Sequence, residues 1–254
     1  GMGGVKDELE GKSAYQKGIV ADRENYKDMI EGLGDEIRSF KPKDMEDAAR
    51  FMADVEKKLS VLSDEVVVLK AFPSWPERQV ELLRELSARV RDLRQMQESI
   101  DVGAPSWKPK GSMLDEVNWV LHALTKVQSG VDYFGRTKDD DAKKFREAGL
   151  PWDVKGITKV KLLALKAAKY VMKIALSAYE RLCSAEGDPS IPPKTLQQLR
   201  AQVGTLLETG LKFGFRCHQF AGGFDKEANQ LFEALNNSIK AFHGHPPGGV
   251  GPAA

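Results

Sequence analysis

In this 254-residue chain, the adjacent residues Cys217 and His218 are a candidate catalytic pair. A thiolate beside an imidazole is the arrangement of a cysteine nucleophile and its base. The apolar periodicity around them predicts a helix, however, and adjacent helical positions point about 100° apart, so a direct thiol–imidazole pair is poorly placed. We therefore interpret Cys217 as a small buried residue and His218 as a structural residue near a turn.

The spacing of the candidate metal ligands in the sequence does not fit a metal site. Asp139, Asp140 and Asp141 lack the alternating oxygens and the sixth-position glycine of a calcium loop, and acidic residues are ordinary at a helix N-terminus. His122 has no second ligand at a suitable spacing, and neither have the two cysteines. No P-loop, dinucleotide fingerprint or nucleophile elbow occurs. We expect no catalytic residue, no metal and no cofactor, and hence a protein that is not an enzyme.

A lysine stripe on a predicted helix, from about Thr158 to Leu182, could bind an acidic partner. If the helix extends back by one turn, its lysines fall within an arc of roughly 80°, next to an apolar face. The lysine stripe consists of Lys155, Lys159, Lys166, Lys169 and Lys173. Two interpretations stay open: a solvated face, or a surface that speeds association with an acidic protein. The net charge of +1 does not indicate nucleic acid.

The N-terminal region from Lys12 to Phe40 shows a short heptad pattern within a single predicted helix. One apolar seam lies between heavily charged faces, and such a seam needs a partner helix. The seam consists of Ile19, Tyr26, Ile30, Leu33, Ile37 and Phe40. It is either an ordinary packing face inside one chain or the coiled coil of a homodimer.

The sequence after Phe40 predicts a series of amphipathic helices, which would position the candidate site residues. After the helix over Lys12–Phe40, periodic apolar residues predict a second helix over Met45–Leu69, with Val66 on its buried face, and a third that ends near Ile100. A loop over 101–111 carries Trp107, which we expect to fold back onto the body. A fourth helix runs through Val131, and a separate short helix starts at Asp139.

The stretch from Leu206 to Asp225 is the most distinctive part of the chain. Its apolar positions, Phe215 among them, predict a helix that ends at Gly222 and Gly223, where glycine allows a left-handed turn. Asp225 then caps a last helix through Phe242. The segment 244–254, rich in glycine and proline, is expected to be disordered.

The turn at Gly222 and Gly223, with the helix end before it, also carries a family resemblance. The run Phe215–Asp225 resembles the C-terminal signature of the plant chloroplast unusual positioning proteins. Other pieces agree in order: Met45–Leu69, Leu69–Phe72 before Trp75–Glu77, Leu150–Trp152, and Lys159–Leu162. Six signature residues we interpret as structural: His218, Gln219, Phe220, Gly222, Gly223 and Asp225.

The resemblance implies an all-α, elongated domain similar to a formin homology 2 domain, preceded by a coiled-coil helix. Its implied divisions are a dimerisation helix (1–41), an actin-binding domain (42–243) and a tail (244–254). The implied partners are actin, with a profilin requirement left open, and a second copy of the chain. The lysine stripe becomes the candidate actin contact, and the seam the candidate dimer contact.

The resemblance further implies a role in chloroplast relocation, on the cytosolic face of the chloroplast outer envelope. No apolar run reaches the roughly 18 residues of a membrane span, and the resemblance implies that the envelope anchor lies upstream of Gly1. Two alternatives stay open. The first is microtubule association, because a related branch of plant proteins with the same C-terminal sequence acts on microtubules and growth anisotropy. The second is a passive coiled-coil scaffold, which would bind neither filament.

Overall fold

The computed structural model describes residues 2–244, and all regular structure in that range is α-helical, which confirms the predicted all-α fold. The expected tail lies outside the described residues, except for Gly244 at the end of the last helix. Within the described range the helices are α1 Met2–Asn25, α2 Lys27–Ser39, α3 Met45–Leu59, α4 Glu65–Leu69, α5 Glu77–Ile100, α6 Met113–Glu147, α7 Lys155–Glu186, α8 Pro193–Ala221 and α9 Lys226–Gly244.

The chain divides into two compact units. Unit 1 contains the residues up to Arg91 together with Thr137–Asp153, and unit 2 contains Asp92–Arg136 and the chain from Val154 onward. Helices α5 and α6 each contribute residues to both units. The predicted division at residue 41 concerned dimerisation and actin binding, and it stays a prediction. None of the helices within residues 2–244 combines the length and apolar composition of a membrane span.

The seam residues are packed inside unit 1. Ile19, Ile30, Leu33 and Ile37 are at most 6% exposed. Tyr26 and Phe40 are half-buried, and the Phe40 ring stacks on Phe51 with 3.8 Å between centroids. The chain's own residues cover the seam, in line with the interpretation as a packing face inside one chain, and its role as a dimer contact stays a prediction. Homodimerisation itself stays a prediction.

The predicted single helix over Lys12–Phe40 is two helices with a kink at Tyr26. The Tyr26 backbone departs from helical geometry, with φ −109° and ψ 10°. The hydrogen bonds from Tyr26 N to Asp22 O and from Ile30 N to Tyr26 O nevertheless persist at 2.9 Å each. The helix axis therefore bends at Tyr26, while the helical hydrogen bonds on either side of it are kept.

The predicted helix over Met45–Leu69 is also two helices, because Asp64 starts a new one. The Asp64 carboxylate accepts from Val67 N at 3.2 Å, which satisfies a free backbone donor of α4. The new helix turns Val68 inward, to complete burial, and leaves Val66 65% exposed. The expectation that Val66 lies on a buried face is therefore wrong.

Helix α6 joins two predicted helices into one of 35 residues. No proline lies between Val131 and Asp139, and the single Gly135 costs a helix only about 1 kcal/mol relative to alanine. Asp141, one of the three successive aspartates, is 2% exposed and pairs with Arg89 at 3.2 Å and Lys144 at 3.6 Å. Its charge is thus balanced by cations of the chain, and among the described residues no cluster could hold a metal ion.

Unit 2 is built on close packing of α7, α8 and α9. One face of α7 consists of small and apolar residues that are fully buried, including Ala168, Met172 and Ala175. Opposite them α8 carries glycine: a Cβ at Gly210 would lie 3.1 Å from Ala175 Cβ, and one at Gly214 would lie 3.1 Å from Met172 Sδ. Small residues on both helices let the backbones approach closely, and this fixes where α7 presents its other faces.

Candidate protein-binding surface on α7

Helix α7 concentrates positive charge. Between Lys155 and Tyr179 it has no aspartate or glutamate, but it has the five lysines of the stripe and also Lys161. Lys155 is the first residue of α7, and the first turn contains no acidic residue. Because the N-terminal end of a helix is the positive end of its dipole, lysine there is unfavourable for the helix. The helix dipole therefore does not account for the lysine at the start of α7.

The structure splits the lysine stripe into two groups. Lys155, Lys159 and Lys166 are exposed, and we call them the exposed lysine surface. Lys169 and Lys173 form ion pairs within unit 2, although Lys173 is also exposed, so the five lysines do not form one uniform surface as predicted. The Lys169 side chain is only 19% exposed.

The paired lysines hold the start of α9. Lys169 Nζ donates to Asp225 Oδ2 at 2.5 Å and to Glu227 Oε2 at 3.2 Å, while Lys173 Nζ lies 3.0 Å from Glu227 Oε1. The hydrogen bond from Lys169 is the main cause that lowers the pKa of Asp225, and the one from Lys173 is the main cause for Glu227. The bond to Asp225 is the main cause that raises the pKa of Lys169. All three groups are stabilised in their charged forms.

The signature residues form the corner between α8 and α9. Gly222 ends α8 in the left-handed region at φ 78°, and its N–H and that of Gly223 both donate to His218 O. Asp225 Oδ1 accepts from Ala228 N at 2.9 Å, which caps α9. These contacts set the direction in which α9 leaves the corner, and so they place Asp225 and Glu227 beside α7.

Side chains of the signature pack around this corner to different degrees. The His218 imidazole meets Phe224 edge to face, with 4.9 Å between centroids. Phe220 is half-buried against the core, whereas Gln219 is exposed. His218 contributes to the turn through its backbone carbonyl, which accepts from Gly222 N and Gly223 N. Phe215, predicted on the apolar face of α8, is 56% exposed.

Cys217 is placed as a core residue. Its side chain is fully buried, and burial raises the pKa of the thiol to about 12. At neutral pH the sulfur is therefore protonated and carries no nucleophilic charge. His218, the next residue, is exposed.

A groove of about 470 Å³ lies beside the paired lysines, and sequence reasoning missed it. Its apolar lining includes Leu162, which is 63% exposed. Charged groups of both signs line the remainder. The groove is lined by Val102, Gly103, Leu162, Leu165, Lys166, Lys169, Tyr170, Lys173, Asp225 and Glu227. The sequence signal was Leu162 itself, an apolar residue directly after Lys159-Val160-Lys161.

Tyr170, which lines the groove, also belongs to a buried network around Glu116. The Glu116 carboxylate is 4% exposed and accepts from Trp107 Nε1, Tyr170 Oη and Lys110 N, each at 2.7 Å. This confirms that Trp107 folds back onto the body. Burial is the largest influence on Glu116 and raises its pKa, but the hydrogen bonds led by Tyr170 outweigh it, and the net pKa is lowered.

The Glu116 network also keeps Tyr170 in its donor form. Burial, followed by the hydrogen bond to Glu116, raises the pKa of Tyr170 to about 12. Tyr170 therefore stays a neutral hydroxyl at physiological pH and donates to the carboxylate. The network holds Tyr170 in one orientation at the groove.

Sequence comparison assigns the chain to a family. Over 240 residues, 94% of this chain, it is 29% identical to the uncharacterized protein At4g04980 of Arabidopsis thaliana. The chain spans only 32% of that relative's length. Residues 83–246, more than half of the chain, match the family of IPGAL1-like C-terminal domains. The match begins within α5 and includes the lysine stripe, the groove and the corner, and the chain therefore belongs to the IPGAL1-like C-terminal domain family.

Proposed function

We propose that this chain is a non-enzymatic cytoskeletal module that binds actin through the exposed lysine surface of α7. One observation carries the proposal: Lys159 and Lys166 are exposed, and no carboxylate of residues 2–244 pairs with either. They project from a helix whose basic stretch contains no acidic residue. Such an arrangement accelerates encounter with an acidic protein surface and has no evident role in the fold.

The choice of actin comes from the resemblance of Phe215–Asp225 to the chloroplast unusual positioning proteins and, through them, to formin homology 2 domains. In the same proposal the parent protein works at the cytosolic face of the chloroplast outer envelope and couples chloroplasts to actin filaments during relocation. Profilin-actin is the form of the partner to test beside actin alone.

Homodimerisation belongs to the same proposal. Two copies of the exposed lysine surface would hold two actin subunits at a high effective concentration, which is what filament nucleation needs. The mass of the chain in solution, measured by analytical ultracentrifugation, tests this point. Aspartate at Ile30 or Ile37 is not a useful probe, because both side chains are at most 1% exposed and a charge there would unfold unit 1.

Microtubule binding is the second candidate. It rests on the same resemblance, because a related branch of plant proteins with a similar C-terminal sequence acts on microtubules; the name of the matched family mentions neither filament. The same exposed lysines would serve for either filament, since charge alone does not select the partner. A passive scaffold would bind neither.

Co-sedimentation separates these functions. The chain is centrifuged with preassembled actin filaments and, in parallel, with taxol-stabilised microtubules, and the bound fraction is measured at increasing filament concentration. Saturable binding to actin alone supports the proposal. Binding to microtubules alone transfers the function to the second candidate, and binding to neither leaves a scaffold. A pyrene-actin assay, with and without profilin, then tests nucleation.

A further inference from the structure

We propose that the groove beside α7 binds an acidic peptide segment that carries one large aliphatic side chain. This inference deepens the proposed function, on which it rests for the identity of the partner. The aliphatic side chain would lie against Leu162 and Leu165 in the groove, and a flanking carboxylate would reach Lys166 on its wall. The occupant is thus a short amphipathic and anionic stretch of a partner protein.

The apolar requirement comes from Leu162. A leucine that is 63% exposed in a concave site leaves most of its side chain in water, although the groove around it has apolar walls from Val102, Leu165 and Tyr170. A ligand side chain placed there would remove apolar surface on both partners from water. The Tyr170 ring is held in place by its hydrogen bond to Glu116, so this part of the groove is preformed.

The anionic requirement comes from the lysines. The chain's own carboxylates, Asp225 and Glu227, already occupy Lys169 and Lys173 at 2.5–3.2 Å, which shows that this wall accepts carboxylates. Lys166 has no such partner among the described residues, although it lines the same groove. Its Nζ would lie 2.2 Å from a Cβ at Gly103, so the ammonium group sits against the backbone of that loop. It is the position at which a peptide carboxylate would bind.

Fluorescence anisotropy with three labelled peptides tests the proposal on the whole chain. The first peptide is Glu-Asp-Glu-Leu-Glu-Asp, the second replaces Leu by Ser, and the third replaces each acidic residue by its amide. We expect the first to bind at least about tenfold more tightly than either control, because burial of the leucine and contact of a carboxylate with Lys166 are both needed. Equal binding of the first and second peptides overturns the apolar part, and equal binding of the first and third overturns the anionic part.

Two substitutions assign the binding to the groove. Leu162→Ser and Lys166→Glu are each expected to weaken binding of the first peptide at least about fivefold, with unchanged helicity by circular dichroism. Lys126→Glu, on the exposed face of α6, is the matched control and is expected to have no effect. Unchanged affinity in both groove variants would show that the peptide binds elsewhere and would overturn the proposal.

The outcome can be separated from that of the proposed function. Peptide binding without actin co-sedimentation keeps the groove and rejects actin as the partner. Actin co-sedimentation that persists undiminished in Leu162→Ser, without peptide binding, keeps the function and rejects the groove.

Discussion

Lys169 and Asp225 form an ion pair at 2.5 Å between α7 and the residue that caps α9, although they are 56 positions apart in the chain. Asp225 uses its two oxygens for different tasks. Oδ1 accepts from Ala228 N and caps the helix, while Oδ2 accepts from Lys169. Asp225, the last residue of the signature Phe215–Asp225, is therefore bound to α7, the helix that also carries the exposed lysine surface.

The two roles of Asp225 can be separated by substitution. Asp225→Asn keeps an oxygen for the cap but loses the charge, whereas Asp225→Ala loses both. We expect Tm to decrease slightly for Asp225→Asn and further for Asp225→Ala, as measured by thermal denaturation. Equal Tm values for the two variants would show that the cap contributes nothing.

The ion pair also predicts a pH dependence. The pKa of Asp225 lies below its ordinary 3.8 when folded, because Lys169 stabilises the carboxylate. The stabilisation is therefore fully present above the unfolded pKa and is lost as the pH falls through the folded pKa. We expect the Tm difference between the wild type and Asp225→Asn to be constant from about pH 5 to 7 and to shrink below about pH 4. A difference that grows on acidification would contradict this assignment.

The buried carboxylate of Glu116 should be hard to replace. Glutamine offers one oxygen to three donors and points its own N–H groups at them, so Glu116→Gln leaves buried groups unpaired. We expect a loss of about 1–3 kcal/mol in the free energy of unfolding, measured by urea denaturation. Glu98→Gln, an exposed position on α5, is the control and should change stability little. A similar result for both variants would mean that the network contributes little.

Alanine substitution should have opposite effects at Gly135 of α6 and Gly210 of α8, because only Gly210 packs closely against another helix. Alanine at Gly135, where nothing lies within 4 Å, should stabilise α6 by up to about 1 kcal/mol. Alanine at Gly210 gains the same helix propensity but brings its Cβ to 3.1 Å from Ala175 Cβ, which is fixed to another helix. We therefore expect Gly210→Ala to lower the free energy of unfolding in urea. Stabilisation by both variants would show that α7 and α8 move apart at little cost.

Periodicity was enough to predict the helical class, the basic character of α7, and the corner at Gly222 and Asp225. These features depend on local sequence: apolar spacing, lysine spacing, and the backbone freedom of glycine. Helix ends were less predictable where no proline or glycine marked them. No proline or glycine marks the kink at Tyr26, and α6 continues beyond Val131 because no proline interrupts it and a single glycine costs a helix little.

The candidate site was predictable only in part. The lysine stripe was visible in the sequence, but the neutralisation of Lys169 and Lys173 by Asp225 and Glu227 was not, since ion pairs across more than 50 positions leave no periodic signal. The same holds for the groove, whose walls come from α7, from the loop at Val102 and from the start of α9. The seam shows the opposite case: its spacing was correct, but spacing does not say whether the covering helix belongs to the same chain.

The most direct test of the central claim is actin co-sedimentation of a charge-reversed chain, Lys159→Glu with Lys166→Glu. A variant with the same change in net charge, Lys126→Glu with Lys212→Glu, is the control because its lysines lie outside the exposed lysine surface and the groove. We expect the first variant to bind actin filaments at least about tenfold more weakly than the wild type, with an unchanged Tm, and the control to bind normally. Equal weakening in both variants, or unchanged binding in the first, would contradict the claim that this surface of α7 binds actin.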